Sequence, residues 1–279
     1  MSLSQILEES QSKKFLKNLL KKPKMHLFEN LVEPTTKRYS RMGVAFDYAL
    51  RFGLFHRFSS NVYQRSLVAG AAVYIVVKEN FPSKFNRYRV NFEETKNILE
   101  TCEISNSMEG RKAAEAAFVL ADLDPIFRTK MMFPETPISE VEITELIELY
   151  NLIDFEIFAE YDRIFLNPHF NDGSRRVRGA DADLIIGDTL IDVKTTKHPK
   201  LTLEMIRQLV GYSLLCNKFG IGGYDSEKYN QTINKVGIYF ARAGEFFIVE
   251  LSNIIDETNE NIILNWILNH EYSNLGVEI

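Results

Sequence analysis

Hydrophobic positions in the first half of the chain recur at helical spacing. In the second half they shift to short runs bounded by turn residues. Residues 1 to about 22 carry Ile6, Leu7, Phe15, Leu16, Leu19 and Leu20 in an amphipathic pattern that stops at Pro23, which predicts a first helix. Between 41 and 107 the pattern predicts helices near 43–57, 61–79 and 91–107, separated by Ser59-Ser60-Asn61 and by Phe81-Pro82-Ser83. Phe46, Tyr48, Phe52, Phe55 and Phe58 are spaced for helix packing and read as core aromatics. A further helix opens after Gly110 and is expected to end at Pro125, and another covers 139–152. The texture then changes to β-rich runs at 155–166, 176–186, 189–196, 233–240 and 244–250. One helix, 203–219, sits between the third and fourth runs, and another, about 259–270, closes the pattern. Helix, three strands, helix, two strands predicts a mixed α/β core preceded by a helical region.

With 279 residues, 45% hydrophobic and 25% charged, the chain can bury a sizeable core. A net charge of -5 argues against coating nucleic acid by bulk electrostatics and leaves a local basic groove open. Cys102 and Cys216 stand far apart in no C-x-x-C arrangement, so neither a zinc site nor a disulfide framework is expected. No apolar run precedes a small-residue cleavage site, and none approaches the ~18 residues of a membrane span. The expectation is a soluble cytoplasmic protein with no membrane partner. Lys13, Lys14, Lys17, Lys21, Lys22 and Lys24 make the first helix basic, which a solvated polar face accounts for more simply than a lipid surface.

The stretch richest in chemistry is Arg178 to Thr196. Two β-branched runs flank Gly187-Asp188, a dipeptide suited to a two-residue hairpin turn because glycine accepts a positive φ. Such a turn pairs Ile186 with Thr189 and, counting back, Asp183 with Asp192 and Asp181 with Lys194. Directly opposed residues share a sheet face, so three carboxylates and one ammonium gather on one side. Leu184, Ile186, Ile191 and Val193 then point into a core. Opposed like charges destabilise a sheet unless a cation compensates them, and hard oxygen ligands favour Mg²⁺, or Mn²⁺ in its place. That arrangement suits phosphodiester hydrolysis, with Lys194 neutralising charge on the phosphoryl oxygens or orienting the attacking water.

Asp183-Leu184-Ile185, a short turn and Ile191-Asp192-Val193-Lys194-Thr195 resemble the signature of the PD-(D/E)XK phosphodiesterase superfamily. Gln208 and Tyr212, in Gln208-Leu209-Val210-Gly211-Tyr212, are similar to the Q-x-x-x-Y motif of its RecB-like exonuclease branch. The resemblance implies a restriction-endonuclease-like core over 109–279, a central mixed sheet flanked by helices, with a helical N-terminal region, 1–108, packed on it. By position it implies Asp183 and Asp192 as metal ligands, Lys194 as the catalytic lysine, and Gln208 and Tyr212 beside the active site. The superfamily's helical glutamate falls on Glu115, with Glu109 in reserve. The branch's G-x-x-x-H context corresponds to Gly43-Val44-Ala45-Phe46-Asp47, where Asp47 is expected to be an exposed helical residue, although an aspartate can also bind metal. The four cysteines of iron–sulfur relatives are absent, so no cluster is implied.

Arg175, Arg176, Arg178, Lys197, Lys200 and Arg207 lie around the hairpin and are expected to contact phosphate regardless of sequence. His198, with no second His or Cys at ligand spacing, reads as a surface residue. The function implied is a divalent-metal-dependent nuclease acting on DNA, with RNA left open, and an exonuclease on the strength of Gln208 and Tyr212. An endonuclease of the same fold and a non-catalytic nucleic-acid-binding subunit are the alternatives.

Overall fold

A computed structural model describes residues 2–24, 27–134, 136–224 and 227–273. The N-terminal segment forms α1 (Leu3–Glu8) and α2 (Ser10–Leu16). The predicted single helix over 1–22 is therefore broken, because Glu9 is extended (φ -62°, ψ 147°). Next come α3 (Tyr39–Phe58), β1 (Val62–Gln64), α4 (Val68–Ala71), a π-helical stretch Ala72–Val77, α5 (Lys78–Asn80), α6 (Pro82–Thr101), α7 (Met108–Thr129) and α8 (Glu140–Asn151). The second half contains β2 (Ile164–Leu166), α9 (Asp172–Arg176), β3 (Leu184–Ile186), β4 (Thr189–Lys194), α10 (Leu203–Phe219), β5 (Ile221–Tyr224), β6 (Glu227–Tyr229), β7 (Lys235–Phe240), β8 (Glu245–Glu250) and α11 (Glu257–Ser273).

The architecture is α/β. Among the described residues one six-stranded mixed sheet runs β1-β2-β3-β4-β7-β8, and β5 and β6 form a separate hairpin. β1 pairs parallel with β2, and β4 parallel with β7; the other neighbours in the sheet are antiparallel. The parallel step from β4 to β7 requires a crossover, and α10 lies within it.

Alternation along the strands divides the core into two layers. Leu184, Ile186 and Ile191 join the apolar residues of α3, α7 and α8 on one face, and Val193 packs against them. Ile185, Leu190, Val236 and Ile238 join α1, α10 and α11 on the other. Central strand β4 is thus covered on both sides. The first layer includes residues from both sides of position 108, from Val32 to Ala241, and β1 belongs to the sheet.

Several predicted elements are differently built. The run 61–79 contains β1 before its helix, because Val62-Tyr63-Gln64 extends to pair with β2. The expected break at Phe81-Pro82-Ser83 is observed: Phe81 leaves the helical conformation after α5, and Pro82 starts α6 at its first turn, where a missing N–H costs nothing. Pro125 lies inside α7, which ends at Lys130 (φ 59°). The expected strand 155–166 begins with a 3-10 turn, Phe155–Phe158, and 176–186 is extended only from Leu184.

Candidate active site

Gly187 takes φ +52° at the hairpin turn, and Ile186 pairs with Thr189, Ile185 with Leu190, and Leu184 with Ile191. At the opposite, open end the ladder stops. The Val193 amide donates to Oδ2 of Asp183 at 2.7 Å, and the Asp183 carbonyl accepts from the Asn167 amide at 2.9 Å. A side-chain carboxylate thus stands where a further rung would be, one strand position beyond Leu184.

Alternation carries Asp192 and Lys194 to the face of Leu190, beneath α10. Asp192 is 4% exposed. Its Oδ2 lies 2.7 Å from Lys194 Nζ, so the buried carboxylate and the ammonium form an ion pair. Burial, together with the nearby Asp183 and Glu204 charges, pushes the Asp192 carboxyl up to about 7 against the opposing pull of Lys194. Burial disfavours the Lys194 ammonium, but Asp192 and Asp183 outweigh it and the net shift is upward. Lys194 therefore remains charged at neutral pH.

Tyr212 and Gln208 come from α10. The Gln208 Nε2 donates to the Tyr212 hydroxyl at 3.1 Å, and that hydroxyl is 3.3 Å from Ser4 Oγ on α1. Burial first, then the Asp183 and Asp192 charges, raises the Tyr212 phenol, and Tyr212 in turn bears on Lys194. The five residues Asp183, Asp192, Lys194, Gln208 and Tyr212 are thus one neighbourhood.

Asp47 also belongs to it. Gly43 sits where a Cβ would be 3.0 Å from Thr195 Oγ1, so α3 packs directly on the end of β4. One turn later, Asp47 is forked by Arg51, with Nε to Oδ1 at 3.0 Å and Nη2 to Oδ2. Its side chain is only 21% exposed, which corrects the expectation of an exposed residue. Burial raises its carboxyl to about 6, Arg51 opposes, and Asp183 adds to the rise. Glu115 and Glu109 are exposed on α7, whose buried Ala113, Ala114, Ala116, Ala117 and Phe118 face the helical layer.

Other placements also depart from expectation. Asp181 does not pair with Lys194; it bridges His169 and holds Arg65 at 2.6 Å. Arg207 is not available to phosphate, since Glu8 takes its Nε at 3.1 Å and also its Nη2, with 10% of the side chain exposed. Arg175 is paired with Asp172, and Arg176 lies 5.7 Å from the Phe219 ring centre. Arg178, Lys197, Lys200 and His198 are exposed. Arg51, Ser4 and Glu204 are site neighbours that motif spacing missed. Only Arg51 carried a signal, the i,i+4 Asp–Arg spacing.

Among the described residues no group of three His, Cys, Asp or Glu side chains is arranged to hold a metal ion. The donor set is two carboxylates, Asp183 with one oxygen engaged by Val193 and Asp192 with one oxygen paired to Lys194. Two such oxygens fit a hard cation that retains much of its water, as Mg²⁺ does. Among the described residues, no helix is long and apolar enough to cross a membrane. No family model, curated protein or solved structure matches the chain.

Proposed function

We propose that the chain is a divalent-metal-dependent phosphodiesterase acting on nucleic acid, DNA first, with a restriction-endonuclease-like core. The observation that carries this reading is the convergence of Asp183, the buried Asp192 and the charged Lys194 at the open end of the hairpin, with Asp192 Oδ2 2.7 Å from Lys194 Nζ. Lys194 offsets part of the cost of burying the Asp192 carboxylate, and a bound cation would offset the repulsion that remains between Asp192 and Asp183. Asp183 and Asp192 would hold the cation. When bound, a hard divalent cation supplies charge opposite a phosphoryl oxygen and makes water a stronger acid.

Lys194 holds its proton at Nζ and so serves as a charge donor rather than a base. It faces the phosphoryl oxygens as negative charge accumulates on them, and Asp192 fixes its position. Tyr212 and Gln208 form a hydrogen-bonded pair on the wall of the same site, placed to orient substrate. Their Q-x-x-x-Y spacing supports an exonuclease over an endonuclease. Exposed Lys197 and Lys200 are candidate phosphate contacts.

The test is a digestion assay on linear DNA, closed circular DNA and RNA with Mg²⁺, Mn²⁺, Ca²⁺ or EDTA, beside Lys194→Ala. Cleavage with Mg²⁺ or Mn²⁺, absent with Ca²⁺ alone and in the variant, is expected. Loss of linear but not circular DNA marks an exonuclease. Equal cleavage in EDTA removes the proposal.

A further inference from the structure

A second concave surface lies at the same end of the sheet as Asp183. The register aligns Gln64 with Leu166 and Leu166 with Leu184, so the C-terminal end of β1 is two strand spacings, roughly 10 Å, from the open end of the hairpin. Beyond Gln64 opens a groove of about 620 Å³ between the end of β1, the π-helical stretch and α6. Arg65 belongs to its wall and also to the Asp181 ion pair. The Arg65–Asp181 pair thus ties the wall of the groove to the chain two residues before Asp183.

The π-helical turn shapes the groove. It leaves adjacent residues Tyr74 and Ile75 at 40% and 47% exposure while Val73, Val76 and Val77 stay buried. Single π-helical turns are rare and concentrate at functional sites. The Tyr74 ring is braced by near-perpendicular contacts with Phe85 and Phe92, both at 6.0 Å, and its hydroxyl donates to Glu93. Its plane is fixed before any ligand arrives. Lys96, on the opposite wall, forms a half-exposed pair with Glu100 at 3.1 Å, a contact weak enough for phosphate to displace.

We propose that this groove binds an unpaired single strand of the nucleic acid substrate, with a base stacked on Tyr74 and a phosphate at Lys96. A braced aromatic face beside a partly exposed cation is the chemistry that recognises single strands without regard to sequence. The choice of ligand rests on the phosphodiesterase reading; the groove and its braced tyrosine do not.

The experiment measures fluorescence anisotropy of a short labelled oligothymidylate and of a labelled duplex in EDTA, where hydrolysis is off. Tyr74→Ala is expected to weaken single-strand binding on the order of tenfold, leave duplex binding unchanged, and be rescued by Tyr74→Trp. Lys96→Gln is expected to reduce the slope of log affinity against log salt by about one contact. An unchanged single-strand affinity for Tyr74→Ala, an equal loss on duplex, or no binding of either probe by the wild type overturns the groove. Tyr74-dependent binding without metal-dependent cleavage keeps the groove and removes the hydrolase; cleavage with no effect of Tyr74→Ala does the reverse.

Discussion

The two ends of one hairpin obey opposite rules. At the turn end, Ile185, Ile186, Thr189 and Leu190 complete a regular ladder and are buried on both faces of the sheet. At the open end, Asp183 replaces a rung with its carboxylate, and Lys194 reaches back to the buried Asp192. The turn end gains stability from apolar burial and closed hydrogen bonds. The open end instead places two carboxylates and an ammonium where apolar side chains would pack, while β4 stays paired with β7. Departures from local regularity of this kind concentrate at functional sites.

The contrast is broken most strongly by variants that separate chemistry from folding. Asp192→Asn and Lys194→Ala are each expected to reduce metal-dependent hydrolysis by roughly 10²–10³-fold or more, the scale set by loss of one charge-stabilising group. Circular dichroism should be unchanged. If either variant keeps full activity, the open end is not the reactive site.

At the turn end the expected outcome is reversed. Ile185→Ala, at a residue 0% exposed, is expected to lower unfolding free energy by about 2–5 kcal/mol through lost burial and a cavity. Activity per folded molecule should hold. Chemical denaturation beside the digestion assay checks both, and a selective loss of activity in a fully stable variant would mean that the two ends are not separable.

A smaller effect follows from pH. The Asp192 carboxyl is raised to about 7 in the folded protein from an ordinary 3.8, so the folded state binds its proton more tightly than the unfolded chain does. The stabilising proton is present at low pH and lost as pH rises through about 7. Metal-free protein should therefore lose stability between about pH 4 and 7, and Asp192→Asn should flatten that slope, by a few °C in Tm. Cation binding requires the ionised carboxylate, so its affinity should fall as pH drops below about 7. A thermal melt series across that window, with and without Mn²⁺, reads both. A steeper slope in the variant would contradict the burial of Asp192.

Local signals were legible in the chain and long-range ones were not. The helix 203–219 is observed as Leu203–Phe219 because the Thr202 hydroxyl accepts from Met205 at its start and Gly220, at φ +71°, ends it, both features of neighbouring residues. The hairpin register was likewise fixed by Gly187-Asp188. β1 was hidden because three residues define no period, and only β2, a hundred residues on, makes it a strand. Arg207 read as a phosphate contact because nothing nearby in sequence revealed Glu8. Asp47 read as exposed because its burial comes from α3 packing on Thr195. The carboxylates of the hairpin were visible, whereas the helix that closes over them from the other side was assigned to α7 rather than α3.

The smallest expected effect probes how the open end is held from outside the sheet. Ser4 Oγ lies 3.3 Å from the Tyr212 hydroxyl, and α1 is fixed by buried Leu3, Ile6 and Leu7 and by the Leu3 amide to the Gly179 carbonyl at 2.9 Å. The N-terminal helix thus acts on the site through Tyr212, which keeps Gln208 as a second partner. Ser4→Ala removes one of two hydrogen bonds to that hydroxyl, worth about 0.5–1.5 kcal/mol. A two- to tenfold loss of activity, on the order of that energy, is the expected outcome. In a Tyr212→Phe background, with no hydroxyl left to position, Ser4→Ala should have no further effect, because residues acting through one contact are not additive. An equal loss in both backgrounds would place the influence of Ser4 on α1 packing instead, leaving Tyr212 positioned by Gln208 alone.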